Sequence, residues 1–197
     1  GPQPGVYLPA SVVEQLDRVA AQQPRVAAVV PALWQPVAAI DLRTRQSEPA
    51  LNLIGVPPER LAAVGGLVDT EGRPIDLAHL AEDEVVLGAE AAKRLDAQVG
   101  DRLQIFIAGQ PIEVRVAAIA PDSFFTGTLN VGDAGGLTVP LPRAEQWLGA
   151  EGQVSFVALS NHNGMEDSEA VTQAVNAALE GTPFRAVPVK ERAVEQA

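Results

Sequence analysis

The chain is 197 residues long, 47% apolar and only 20% charged, enough hydrophobic substance for a real core and unlike the polar, highly charged composition of disordered segments. Its formal net charge of −11, without a Lys/Arg cluster, argues against a nucleic-acid partner. Cysteine is absent, which removes disulfides, thiolate metal sites and a cysteine nucleophile, and no apolar run reaches the roughly 18 to 20 residues of a membrane span.

Gly1-Pro2 looks like the remnant of a tag cleavage, so residues 1–4 are set aside as tag and linker and the natural protein is expected to continue on either side. Ser11 with Glu14 forms a capping-box pattern, and Val12, Val13, Leu16, Val19 and Ala20 then recur at helical spacing, predicting a helix over 11–22. Pro24 ends it. A β-branched run over 26–30 stops at Pro31, and a second extended strand is expected over 36–44, before a polar turn from Arg43 to Gln46; a third covers 51–56. Trp34 and Trp147 sit in apolar patterns and read as core.

From Pro57 to Glu84 the pattern weakens. PPERLAAVGG suggests one short helix stopped by Gly65-Gly66, and EGRPID a turn. Then come a brief strand over 85–87, a short helix over 89–95 with Ala91, Ala92 and Leu95 inward, and a turn at Val99-Gly100-Asp101. Strands over 103–107 and 112–119 pair as a hairpin across Ala108-Gly109-Gln110, and the strict alternation from Ile112 to Val116 buries one face and wets the other. Residues 121–136 carry four glycines and no period, which marks a long loop. A strand over 137–141, a helix over 143–148, a strand over 154–159, a helix over 168–179 on Val171, Val175, Ala178 and Leu179, and a closing strand over 184–189 follow, with a possible terminal helix beginning at 189–197.

The string DEVVLGAEAAKRLDAQVGDRLQIFIAGQPIEVRVAAIAP, followed by a Gly-rich loop and GGLTVPLPRAEQWLG, spans Asp83 to Gly149. A short strand, an AxxL helix, a VGD turn and a hairpin leading to a VPL…A…L helix resemble the extracytoplasmic core domain of MacB-like, FtsX-family ABC transporter permeases. The resemblance implies an α+β, two-lobed fold. Residues 5–78 and 150–197 would build a porter-like α/β lobe from both ends of the chain, and 79–149 a small inserted β-rich, Sabre-like lobe. It further implies a non-catalytic extracytoplasmic domain that passes ATP-driven movement of membrane helices to a substrate or partner outside the cytoplasmic membrane. Flanking transmembrane helices would tether it, a cytoplasmic ABC ATPase and a second permease copy would be its partners, and an adaptor, lipoprotein or exported client its target.

Motifs for chemistry are missing: the chain has no P-loop, G-x-G-x-x-G, G-x-S-x-G or H-E-x-x-H. No catalytic residue, cofactor or metal site is therefore expected. Only His79 and His162 offer imidazole, far apart in sequence. Glu82, Asp83 and Glu84 could bind Ca²⁺ or do acid–base work, but adjacent side chains diverge and a solvated loop is the expectation. Asp122 and Asp133 lack the calcium-loop pattern. Phe124 and Phe125, adjacent in the Gly-rich loop, are the candidate partner contact, with folding back onto the hairpin core as the competing expectation. The rival function is a soluble α/β small-molecule binding domain or enzyme, its pocket lined by residues such as Asp122, Asn161 and His162; a structural adhesion module is a third.

Overall fold

A computed structural model describes residues 7–162, 165–182 and 185–187. In chain order the elements are β1 (Leu8–Pro9), α1 (Ser11–Gln22), β2 (Val26–Asp41), β3 (Ser47–Val56), α2 (Pro58–Ala62), β4 (Leu67–Val68), β5 (Pro74–Ile75), β6 (Glu84–Gly88), α3 (Ala89–Leu95), β7 (Arg102–Ile107), β8 (Gln110–Ala120), β9 (Gly136–Pro140), α4 (Leu141–Leu148), β10 (Gln153–Val154), β11 (Phe156–Asn161) and α5 (Met165–Ala178). Short 3₁₀ turns occupy Leu77–His79 and Phe124–Thr126. The fold is α+β.

The largest departure from expectation is β2. The two strands expected over 26–30 and 36–44 are one sixteen-residue strand that runs through both Pro31 and Pro36. Proline is tolerated where the ladder does not require its missing N–H. β2 changes partner next to Pro31: residues 26–32 pair antiparallel with β11, whereas 33–40 pair antiparallel with β3. Beyond Pro36 a register shift lies between Val37 and Ala39, opposite the stretch of β3 that contains Pro49.

The sheet order is β11-β2-β3-β9-β6-β8-β7, and β7 returns to pair with residues 38–41 of β2. Six of the seven strands of this sheet, all but β11, therefore close into a barrel, with parallel β3–β9 and β6–β8 pairs among antiparallel neighbours. Closure removes exposed edges. Period-two alternation fills the interior with Leu33, Val37, Leu53, Leu103, Ile105, Val114, Val116 and Val139. The expected hairpin is present with a tighter loop, Ala108 and Gly109 at φ 49° and 75°, so its strands run to Ile107 and from Gln110.

Two further clusters sandwich the β2–β11 part. On one face Val12, Val13 and Leu16 of α1 meet Val171 and Val175 of α5 over Val26 and Val29. On the other, the weakly patterned segment after β3 folds down, packing Leu61, Leu67 and Leu77 on Val30, Ala32, Ile54 and Val56. That segment contains the β4–β5 hairpin, for which alternation over two-residue strands gave no signal.

The capping box is not formed: α1 begins at Ser11, and Ala10 precedes it without a side-chain cap. Ala10 is held instead by its N–H donating to the Gly152 carbonyl at 3.0 Å. α4 starts two residues early because Pro142 suits a helix's first turn. Of the expected closing strand, residues 185–187 form none; the Asn176 side chain holds the Ala186 backbone through reciprocal bonds of 3.2 and 2.8 Å. Residues 1–4 and the possible helix at 189–197 lie outside the described residues.

Candidate interaction surfaces

The barrel mouth is organised by Asn52 on β3, 8% exposed. Its Oδ1 accepts from Trp34 Nε1 at 2.8 Å, and its Nδ2 donates to the Gly127 carbonyl at 2.8 Å and to Asp133 Oδ2 at 3.2 Å. The chain passes so close here that a Cβ on Gly136 would stand 2.0 Å from the Asn52 carbonyl oxygen. Asp133 binds the loop to itself, accepting from the N–H groups of Leu129, Asn130 and Gly135 at 2.8, 2.9 and 3.0 Å. Asp122 accepts from the Glu90 N–H at the start of α3, both oxygens at 3.1 Å. Both carboxylates are thus taken up by donors of the protein itself, Asp133 by its own loop and Asn52, Asp122 by the start of α3.

Phe124 and Phe125 are both half-buried. Phe125 packs into the cluster over Ile54 and Val56, while its carbonyl accepts from the Thr138 hydroxyl at 2.6 Å. Phe124 meets Phe125 edge-on at 5.5 Å and Phe156 of β11 at 5.2 Å. The loop thus touches both the barrel and the β11 strand. Val131, at its tip, is 84% exposed.

Trp34 and Trp147 are partly buried against the clusters. Glu82, Asp83 and Glu84 diverge: Asp83 faces Arg102 at 3.7 Å, Glu84 pairs with Arg115, and the Glu84 carbonyl accepts from Arg143 at 2.6 Å. Among the described residues no three His, Cys, Asp or Glu side chains gather as a metal site. His79 faces Asp76 at 2.5 Å in an exposed pair. His162 donates its backbone N–H to the Arg25 carbonyl at 3.0 Å, at the far end of β11 from Phe156.

Two open clefts stand out. One of about 250 Å³ lies between α1 and the start of α4, lined by Val13, Asp17, Arg60, Leu141 and Val154. The other, of about 560 Å³, lies along the α2–β5 segment, lined by Leu61, Leu67, Ile75 and Leu77. Neither is lined by Asp122, Asn161 or His162.

Three polar links escaped sequence reasoning because their partners are distant in the chain. Arg60 donates both Nη atoms to Asp17 at 2.8 Å and Nη1 also to the Val29 carbonyl at 3.0 Å. This guanidinium lowers the Asp17 carboxyl from its ordinary range. Arg43 grips Asp101, the aspartate of the VGD turn, through Nε at 2.9 and 3.1 Å and Nη2 at 3.0 Å, holding that carboxyl down to about 2. Ser155 bonds both backbone groups of Trp34. Only the Arg and Asp identities were legible in advance.

A strand shared between an α/β layer and a closed small barrel, with motif-bearing turns at the barrel ends, defines a structural module. The MacB-like periplasmic core domain family matches residues 1–178, and the chain belongs to that family, as the resemblance in Asp83–Gly149 had indicated. At the level of whole sequences no curated protein matches. Among solved structures, the extracellular domain of the noncanonic ABC-type transporter YknZ from Gram-positive bacteria is similar at a TM-score of 0.54 and 14% identity, over 88% of this chain and 83% of that one. The periplasmic region of MacB from Actinobacillus actinomycetemcomitans is similar at 0.53 and 16%, over 88% and 75%. A domain of a putative permease protein from Porphyromonas gingivalis is similar at 0.50 and 14%, over 95% and 84%. The chain is a MacB-like periplasmic core domain, with the fold of those extracytoplasmic domains.

Proposed function

We propose that this domain is a non-catalytic transmitter on the outer side of the bacterial cytoplasmic membrane, tethered by flanking membrane helices of its parent permease. ATP turnover by a cytoplasmic partner subunit moves those helices, a second permease copy completes the machine, and the domain passes the motion to an adaptor, lipoprotein or exported client. The observation that supports this reading is β2: one unbroken strand serves the α/β layer through residues 26–32 and the barrel through residues 33–41. Hydrogen-bonded ladders on both halves couple displacement of one part to the other.

In this reading the lobes divide within β2, between Ala32 and Leu33, instead of at residue 78. The α/β lobe then consists of α1, the first half of β2, β11 and α5, and the Sabre-like lobe takes β3 as well as β6 to β9, because these strands share one closed sheet. The loop bearing Phe124 and Phe125, with Val131 at its tip, is the surface offered to a partner: it touches both lobes and, among the described residues, carries the most exposed of the large apolar side chains.

The test uses the absence of cysteine. Ser123, exposed beside Phe124, is changed to Cys in the full-length parent, and intact cells are treated with a membrane-impermeant maleimide. Labelling before lysis is expected; labelling only after lysis, with the same site reactive in purified protein, overturns the reading.

A further inference from the structure

Asp41 ends β2 at the seam where β7 closes the barrel, and it is 0% exposed. Its Oδ1 accepts the N–H groups of Arg43 at 2.8 Å and Thr44 at 3.1 Å. Its Oδ2 is buried and has no donor. The ionisable side chain beside it is another carboxylate, Asp101, already held by Arg43 and by the Gln98 N–H at 3.0 Å.

The charged groups around this pair are few. Arg43 comes from the turn after β2, and Asp96 and Asp101 from the connection between α3 and β7; Arg43 Nη2 also donates to the Asp96 carbonyl at 3.0 Å. Elsewhere, Glu48 of β3 faces Arg94 at 3.8 Å, and Arg102 of β7 faces Asp83 and Glu113 at 3.7 and 3.4 Å. The Arg43 guanidinium is engaged with Asp101, while Asp41, wholly out of water, receives only backbone N–H groups. A buried charge with an unfilled oxygen is costly, and a proton removes both faults at once.

We propose that Asp41 and Asp101 share one proton, carried on Asp41 Oδ2 and donated to the Asp101 carboxylate, so that the β2–β7 seam is held by a pH-dependent latch. Burial, with Asp101 beside it, raises the Asp41 carboxyl above its ordinary value of 3.8, while Arg43 holds Asp101 at about 2. The two contributions have opposite signs. What Asp101 adds is present above its ordinary value and is lost as pH falls through about 2. What Asp41 adds is present below its ordinary value and is lost as pH rises through its raised one. The contribution of this pair therefore peaks near the ordinary carboxylate value and declines as pH rises from there through the raised value of Asp41.

Thermal unfolding of the chain and of Asp41→Asn, from about pH 4 to about pH 8, reads this out. The asparagine amide donates to Asp101 at every pH, and its carbonyl keeps the two turn bonds. Tm of the parent is expected to fall by about 2–4 °C as pH rises from the ordinary carboxylate value through the raised one, and to level off beyond it, while the variant's stays level. The Asp41 carboxyl ¹³C shift should titrate above the usual carboxylate range. Parallel melting profiles, or an Asp41 titration at the ordinary value, overturn the proposal. If Asp41→Asn does not fold, the ¹³C titration of the parent decides alone.

Discussion

The hydroxyl of Ser155 accepts the backbone N–H of Trp34 at 2.9 Å and faces its carbonyl at 3.3 Å. This occurs where β2 has left β11 and has not yet met β7. One side chain thus stands in for a missing strand. The Ser155 N–H donates to the Ala32 carbonyl at 2.7 Å, so the last strand-like bond and its side-chain substitute come from the same residue. Ser155→Ala leaves both Trp34 backbone groups without this partner at a site where Ser155 is 8% exposed. The expected loss is about 1–3 kcal/mol, seen as a lower urea midpoint with an unchanged m-value.

The Arg60–Asp17 link ties α2 to α1, yet its side chains are 33% and 40% exposed. Solvent screening limits the pair to about 1 kcal/mol or less. Arg60→Ala is expected to cost somewhat more than Asp17→Asn, because it also strips the donor from the Val29 carbonyl. The Asp17 contribution is complete above its ordinary value of 3.8 and fades as pH falls through its lowered one, so Asp17→Asn should flatten the acid limb of a stability-against-pH curve. An acid limb unchanged by that variant would count against the link.

Glycines of this chain differ sharply in their tolerance. At Gly136 a methyl group would meet the Asn52 carbonyl oxygen at 2.0 Å, between backbones that cannot part without opening the β3–β9 ladder. Gly136→Ala should cost about 4 kcal/mol or more and yield little soluble protein. Gly149, at φ 61° with open space around it, needs only the left-handed backbone. Gly149→Ala should lose about 1–2 kcal/mol and remain folded, as circular dichroism melts of the two variants would show.

Phe124 joins the Gly-rich loop to β11 through Phe156. Phe124→Ala removes two edge-on ring pairs, with an expected cost of about 1–3 kcal/mol in chemical denaturation. Phe124→Leu, which keeps apolar volume, should recover at least half of it. Equal losses in the two variants would mean that ring geometry, and not burial, governs the contact.

Much of the fold was legible locally because local rules governed it. The 3.6 spacing of Val12, Val13 and Leu16 marked α1, the alternation from Ile112 to Val116 marked the hairpin, and VGD marked the turn before β7. The site was less legible. Phe124 and Phe125 stood out by composition, but nothing near them in sequence named Phe156, Ile54 or Val56 as their neighbours.

The sequence by itself determined helix α1, the β7–β8 hairpin, which of their faces are apolar, and the family to which the turns and helices of Asp83–Gly149 belong, since each depends on neighbours a few residues apart. Only the tertiary structure decided that β2 runs unbroken through Pro31 and Pro36, that β7 returns to it to close the barrel, and that Arg43 meets Asp101 and Ser155 meets Trp34. Those outcomes depend on strand partners separated by tens of residues. A proline's missing N–H, or a buried carboxyl's missing donor, has a consequence only once the opposing chain is in place.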